Sequence, residues 1–393
     1  MSHWGNKYVI GLTGNIAVGK SVVRQMLQHA GAYTIDADNL SHQAMLPGAP
    51  AYKPVINTFG QFIVGSDGKI NRKLLGDIVF TNPDALQKLE RIVQPVVRQA
   101  IEALVKRAKQ RVIVIEAIKL LEGGMGEMVD AVWVVDAKPQ TQYKRLIQKR
   151  KMSQDDAKKR ILAQSPQKKK LAHADVVINN DGNIEQTWKQ VQAEWANIRQ
   201  QLINAAKQKG APAEAETIDA PEPTSHAASG LVVRRGSPNN AEHIAKFIAS
   251  VSGDQTTRMD VMMRFGQKSY LIAQKEGENT VVALLGWTVE NLVTRMDEVY
   301  FDSNVSIQNA VHEMTVAVEE ASKELQSEVG FIFLPMDTAQ STLDAFTADG
   351  YEKVSPPDIK IPAWREAVEE MMAESPKHVL WKQLRKDRVL QPI

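Results

Sequence analysis

The feature that most constrains this chain is an eight-residue run, Gly14-Asn15-Ile16-Ala17-Val18-Gly19-Lys20-Ser21. It fits G-x-x-x-x-G-K-[ST], with the apolar run 8–13 before it and an amphipathic helical pattern over 20–29 after it. Glycines let a backbone curl until successive N–H groups converge on phosphate oxygens. The first turn of the following helix adds partial positive charge at the same place. Asn15, Ile16, Ala17, Val18, Gly19, Lys20, Ser21 and Val22 are therefore the expected nucleotide-binding residues. Lys20 is placed to reach the β- and γ-phosphates of ATP, and Ser21 to offer its hydroxyl to Mg²⁺. A glycine turn matching by chance would not need a strand on one side and a helix on the other.

Apolar runs at 33–36, 111–116, 131–136 and 176–179 alternate with helical stretches, the longest over 82–110. Continuous Val/Ile strands separated by helices indicate a parallel sheet covered on both faces. The expected fold class is α/β, a P-loop kinase type.

Ligands of open α/β sheets bind at the carboxyl ends of the strands. The run at 33–36 ends there in Asp36-Ala37-Asp38. A carboxylate at that edge can orient an acceptor hydroxyl and take its proton, and Asp38 is the candidate catalytic base, with Asp36 beside the acceptor. The competing reading is that the pair caps the next helix, since Asp is a good N-cap. Glu116, ending the run at 111–116, is placed to hold the water shell of Mg²⁺, although an acid at a strand end is also common without function.

Between Lys144 and Lys170 there are 11 Lys/Arg and two acids. A basic helical segment of this kind can close over a triphosphate and neutralise charge in the transition state. Arg145 and Arg150 are its candidates because a planar guanidinium fits phosphate oxygens. Lys168, Lys169 and Lys170 read as a solvated face.

Charge supports a phosphate-bearing partner. The net charge of +2 conceals a balance of +11 over residues 1–204 and −9 over 205–393. Nucleic acid is not expected, because no aromatic side chains interleave the basic run. The chain has no cysteine, which excludes disulfides and thiolate chemistry. No apolar run is long enough for a membrane helix and the start does not resemble a signal peptide, so a cytoplasmic protein is expected. Residues 205–230 are rich in Ala, Pro, Glu and Ser and read as a flexible linker, dividing the chain into domains at 1–204 and 231–393.

The first of these domains resembles the dephospho-CoA kinases. The resemblance is carried in order by Gly11-Leu12-Thr13-Gly14 with Gly19-Lys20-Ser21, Asp36-Ala37-Asp38, Gly68-Lys69-Ile70-Asn71-Arg72, Leu120-Leu121-Glu122, Arg145, Arg160, Gln164 and Ala174-Asp175-Val176-Val177-Ile178-Asn179-Asn180. It implies ATP- and Mg²⁺-dependent phosphorylation of the ribose 3′-hydroxyl of dephospho-CoA. It also implies Asp38 as base, Arg72 in the acceptor-binding helices and Arg145 in the basic lid. The chain departs from the family at Asn15, Ala17, Val22, Gln94 and Ile118-Lys119; a cation at Lys119 beside the acceptor is expected to meet a substrate phosphate. A shikimate-kinase-like enzyme, or another small-molecule kinase, is the alternative, with only Gly123-Gly124-Met125 to echo its acceptor loop. A non-catalytic nucleotide-dependent regulator would not need Asp38 and Arg145.

In the second half, strand patterns at 231–235, 270–273, 280–291, 297–301 and 329–334 surround a long amphipathic helix over 307–326. The order resembles a GNAT-type acyltransferase fold. The glycines that bind a pyrophosphate are missing before the long helix, where Asp302-Ser303-Asn304-Val305-Ser306 stands instead. A non-catalytic module that docks its acidic surface on the basic kinase domain is expected.

Overall fold

A computed structural model describes residues 3–148, 150–162, 164, 166–208, 225–226, 230–278, 280–373 and 375–387. The five expected runs form strands β1 (Tyr8–Thr13), β2 (Tyr33–Asp36), β3 (Val112–Glu116), β4 (Ala131–Asp136) and β5 (Val176–Asn179). They make one sheet in the order β2-β3-β1-β4-β5. β1 runs parallel to β3 and β4, and β4 parallel to β5, as buried apolar strands require. Helices α1 (Lys20–His29), α2 (Ala37–Gln43), α3 (Tyr52–Phe59), α4 (Arg72–Thr81) and α5 (Pro83–Arg107) follow the first two strands. α5 begins where Asn82 accepts hydrogen bonds from the N–H groups of Asp84 and Ala85, with Pro83 in the first turn. The basic segment is three helices, α6 (Pro139–Gln148), α7 (Gln154–Leu162) and α8 (Gln167–Leu171).

α9 (Ile184–Gln208) carries a buried stripe of Val191, Trp195, Ile198 and Leu202, spaced by four, three and four residues. The stripe packs into the core formed by Ile10, Leu12, Val114 and Trp133. The helix therefore runs four residues into the expected linker. The rest of that linker, apart from Ser225, His226 and Gly230, lies outside the described residues.

A second sheet holds β6 (Ser225–His226), β7 (Leu231–Gly236), β8 (Ser269–Lys275), β9 (Val281–Glu290), β10 (Val293–Phe301), β11 (Val329–Pro335), β12 (Glu352–Lys353) and β13 (Lys377–Gln383). Its order is β12-β13-β11-β10-β9-β8-β7-β6. β6 to β9 pair antiparallel in succession, whereas β10 and β11 are parallel. The helices are α10 (Ala241–Ser252), α11 (Arg258–Phe265), α12 (Ile307–Glu324), α13 (Gln340–Ala348) and α14 (Pro362–Met372). An antiparallel set with one parallel pair, crossed over by the long α12, is the GNAT-like arrangement. The strand expected at 297–301 starts four residues earlier. Asn291 and Leu292 take φ of 53° and 66°, a two-residue hairpin turn between β9 and β10.

The chain divides into two compact units, one of Met1–Ile35, Lys109–Thr288 and Glu298–Val318, the other of Asp36–Ala108, Val289–Asp297 and Glu319–Ile393. Each contains parts of both sequence halves. In the first, Gln25 on α1 donates to Ser269 Oγ (3.2 Å), and His29 Nε2 donates to the Phe265 carbonyl (2.8 Å). The His29 ring also meets Phe265 edge-on, with centroids 5.3 Å apart.

Burial pulls the His29 pKa down to about 4, against hydrogen bonds to the backbone of Phe265 and Lys268 and with help from Arg235. An unfolded chain protonates this ring near pH 6.5, which the folded chain resists until about pH 4. Its contribution to stability is complete above about pH 6.5 and is lost as the pH falls toward 4. The thermal midpoint should drop between pH 7 and pH 5, and His29→Gln should flatten that drop. An unchanged slope in the variant would assign the pH dependence to other groups.

Candidate active site

The phosphate loop is held by glycine geometry and by two side chains from later in the chain. Gly14 and Gly19 have φ of 149° and 98°. A Cβ at Gly14 would collide with the Val135 carbonyl, and one at Gly19 with the Asn180 amide. Ala17 takes φ 59°, a strain of roughly 1–2 kcal/mol for a residue with a Cβ. Asn180 Nδ2 donates to the Val18 carbonyl (2.7 Å), while Thr187 Oγ1 donates to Asn180 Oδ1 (2.9 Å). Arg145 forks from α6, its Nη1 reaching the carbonyls of Ala17 (3.2 Å) and Val18 (2.9 Å) and its Nη2 that of Asn180 (2.7 Å). In this state Arg145 braces the loop from its carbonyl side.

The N–H groups of the loop donate to glutamines of the basic segment. Ile16 N–H meets Gln164 Oε1 at 2.7 Å and Asn15 N–H meets Gln167 Oε1 at 3.0 Å. Gln167 Nε2 is itself tied to the Val135 carbonyl (2.9 Å). These are the donors a phosphate oxygen would use, so the segment lies on the loop through phosphate-like contacts. Lys20 is buried, with Nζ 3.5 Å from the Asn15 carbonyl. Ser21 is exposed in the first turn of α1, and Val22 packs against the apolar core under the sheet. Glu116, at the end of β3, pairs with Arg24 of α1 at 2.8 Å, both nearly buried. Lys119 and Arg150 are exposed in turns after β3 and α6.

Lys170 corrects the expectation of a solvated lysine triplet. It is 3% exposed, whereas Lys168 and Lys169 are exposed. Its Nζ donates to the Ile118 carbonyl, and lies 3.5 Å from Thr13 Oγ1 and 3.7 Å from the Glu122 carboxylate. The short α8 turns its third lysine inward, tying it to the end of β1 and the turn after β3. Breaking a buried charged hydrogen-bond set costs on the order of 1–3 kcal/mol, against about 0.5 kcal/mol for a surface change. Lys170→Ala should therefore lower the melting midpoint by several degrees, and Lys168→Ala and Lys169→Ala should leave it nearly unmoved. Equal effects at all three positions would mean that only overall charge matters here.

In the second unit, Asp36 caps α2, its Oδ1 accepting from the Asn39 N–H at 2.9 Å. Asp38 lies in the first turn of α2 and is exposed. The capping reading is thus correct for Asp36. Arg72 opens α4, behind Asn71, whose side chain accepts from the Leu74 N–H (3.0 Å). Arg72 lines a cavity of about 300 Å³ together with His42, Met45, Lys69 and Glu366. Arg24, Gln167, Lys170 and Glu366 carry none of the sequence signals that singled out the other residues. Asn180 entered only as the last residue of the run Ala174–Asn180 that carries the family resemblance, with no role attached to it.

Before α12 in the second sheet, Asp302 Oδ1 accepts from the Asn304 N–H (2.8 Å). Among the described residues, no cluster of three or more metal-ligating side chains occurs, and no helix is long and apolar enough to cross a membrane.

A braced phosphate loop after the central strand of a parallel sheet, met by a basic helical segment, defines a P-loop kinase. A family model described as dephospho-CoA kinase matches residues 8–186. A dephospho-CoA kinase from Geobacter metallireducens is 41% identical over 190 residues, covering 94% of that protein and 48% of this chain. The chain belongs to the dephospho-CoA kinase family, and its first half is a phosphotransferase that uses ATP as donor. Among solved structures, a dephospho-CoA kinase from Campylobacter jejuni is 27% identical over 49% of this chain and 97% of its own, with a TM-score of 0.37. A GNAT-family acetyltransferase from Streptococcus pneumoniae is 9% identical over 39% of this chain and 98% of its own, with a TM-score of 0.30.

Proposed function

We propose that this chain transfers the γ-phosphoryl group of ATP to the ribose 3′-hydroxyl of dephospho-CoA, giving coenzyme A and ADP. The observation that carries this reading is the phosphate loop, whose glycine conformations, Lys20 and Arg145 brace suit a triphosphate, within a segment that matches the family. Lys20 holds the β- and γ-phosphates and follows the charge as it moves to the leaving ADP. Asp38 takes the proton of the attacking hydroxyl, and its exposure is consistent with meeting a substrate from solvent. Arg145 positions the loop and, once the glutamines yield to phosphate, adds charge near the transferring group. Arg72 and Lys119 bind acceptor phosphates.

Hard oxygen donors suit Mg²⁺, and the Ser21 hydroxyl and Glu116 carboxylate are of that kind, with Arg24 already sharing Glu116. When bound there, the ion would neutralise charge on the β- and γ-phosphates.

The division into a kinase domain at 1–204 and a GNAT-like domain at 231–393 is also proposed, the latter as a docked module without acyl transfer. Docking is supported by the bonds of Gln25 and His29 to the second sheet's elements and by two pairs of matching charge, His42 with Glu366 and Lys69 with Glu369.

The test is ADP release measured with dephospho-CoA, shikimate and nucleoside monophosphates as acceptors. Dephospho-CoA should be strongly preferred. A preference for any other acceptor, or ADP release indifferent to all of them, overturns the reading.

A further inference from the structure

The cavity that carries Arg72 is not bounded by kinase elements alone. Glu366, from α14 of the second half, reaches into it and accepts from or shares a proton with His42 Nε2 through both carboxylate oxygens, at 3.0 and 3.1 Å. One turn along the same helix, Glu369 pairs with Lys69 at 3.4 Å. Three cationic or protonatable side chains, His42, Lys69 and Arg72, thus line a space of about 300 Å³ with two carboxylates, Asp67 from the loop before α4 and Glu366 projected from α14. The Glu366 carboxyl is held below the usual range first by its hydrogen bond to His42, then by the charges of His42, Lys69 and Arg72. A cationic pocket with an internal anion in place is a pocket built for anions, already partly satisfied.

We propose that Glu366 is a specificity-determining residue of the kinase reaction: an internal counter-anion that occupies the acceptor's phosphate-binding pocket and must be displaced, raising the acceptor concentration the enzyme requires. This rests on the reading of Arg72 as an acceptor-binding residue. Its chemistry is competition between a carboxylate and the acceptor's pyrophosphate for the same cations. Glu369 adds to it by holding Lys69. The acidic half of the chain thereby sets how readily the basic half takes an anionic substrate.

Glu366→Gln in the full chain separates charge from shape, since the amide keeps an acceptor for His42 and loses the negative charge. KM for dephospho-CoA should fall about 2- to 5-fold, the scale of one charge contact in a partly exposed site. KM for ATP and kcat should stay within about twofold, because neither involves this pocket. Glu366→Gln with Glu369→Gln should lower KM further, and the gain should shrink at high salt as the charges are screened. Glu370→Gln is the control, because that carboxylate sits on the same helix but pairs with Arg295 at 2.9 Å. Inorganic pyrophosphate should inhibit Glu366→Gln, competitively with dephospho-CoA, at lower concentrations than it inhibits the unaltered chain. An unchanged or raised KM in Glu366→Gln, with a melting midpoint showing the variant folded, overturns the inference and makes Glu366 a support for His42. If the unaltered chain does not phosphorylate dephospho-CoA at all, the function itself has failed instead.

Discussion

Asp38→Asn should lower turnover by roughly 10²–10⁴-fold, the range for loss of a positioned general base, while ATP binding stays nearly intact. The structure makes this substitution unusually clean. The cap of α2 belongs to Asp36, whose Oδ1 holds the Asn39 N–H, so the helix start does not depend on Asp38. Asp38 is exposed and asparagine matches its shape, so the variant should fold, and its melting midpoint is measured alongside turnover to show that it does. Asp36→Ala should behave differently, costing about 1 kcal/mol of stability through the lost cap. Lys20→Ala provides the second contrast, since it removes the charge that meets the triphosphate and should damage ATP binding and turnover together. The measurements are steady-state turnover with dephospho-CoA and nucleotide binding by titration calorimetry. Near-normal turnover in a folded Asp38→Asn variant would remove the base from the mechanism.

The parts of the molecule legible in the sequence are those whose signal is local. The strand, loop and helix around Gly14–Ser21 announce themselves within about twenty residues, because glycine conformations and apolar periodicity act over that distance. β1, β3 and β4 were equally plain, being continuous apolar runs buried almost throughout, and β5, an edge strand with Val177 exposed, still shows as the run Val176-Val177-Ile178. Where contacts join distant residues, the sequence was silent. Nothing in Lys168-Lys169-Lys170 says which lysine turns inward; that depends on how the five-residue α8 meets the Ile118 carbonyl. Glu366 looked like one acid among many in an acidic half, and only its meeting with His42 gives it meaning. The hairpin at Asn291-Leu292 was missed because leucine is a poor signal for a positive φ. α11 could have been found, since Thr257 and Asp260 form a capping box at its start.

Glu116→Ala should be the most destabilising single change near the loop. Glu116 Oε2 lies 2.8 Å from Arg24 Nε, with both side chains 9% exposed. Removing one member of a buried pair costs roughly 3–5 kcal/mol, mostly from the charge left behind. At about 2–4 °C per kcal/mol for units of 150–250 residues, the melting midpoint should fall by roughly 10 °C. Replacing both partners, Arg24→Met with Glu116→Leu, should restore most of that loss, because apolar groups of similar size often substitute for a buried ion pair. That rescue separates two roles that a single substitution confuses. If Glu116 also holds the water shell of Mg²⁺, the rescued protein should melt normally yet turn over slowly, and its residual rate should saturate at a higher Mg²⁺ concentration. If turnover returns with stability, Glu116 serves only to pair with Arg24 and keep α1, with the phosphate loop at its head, against β3.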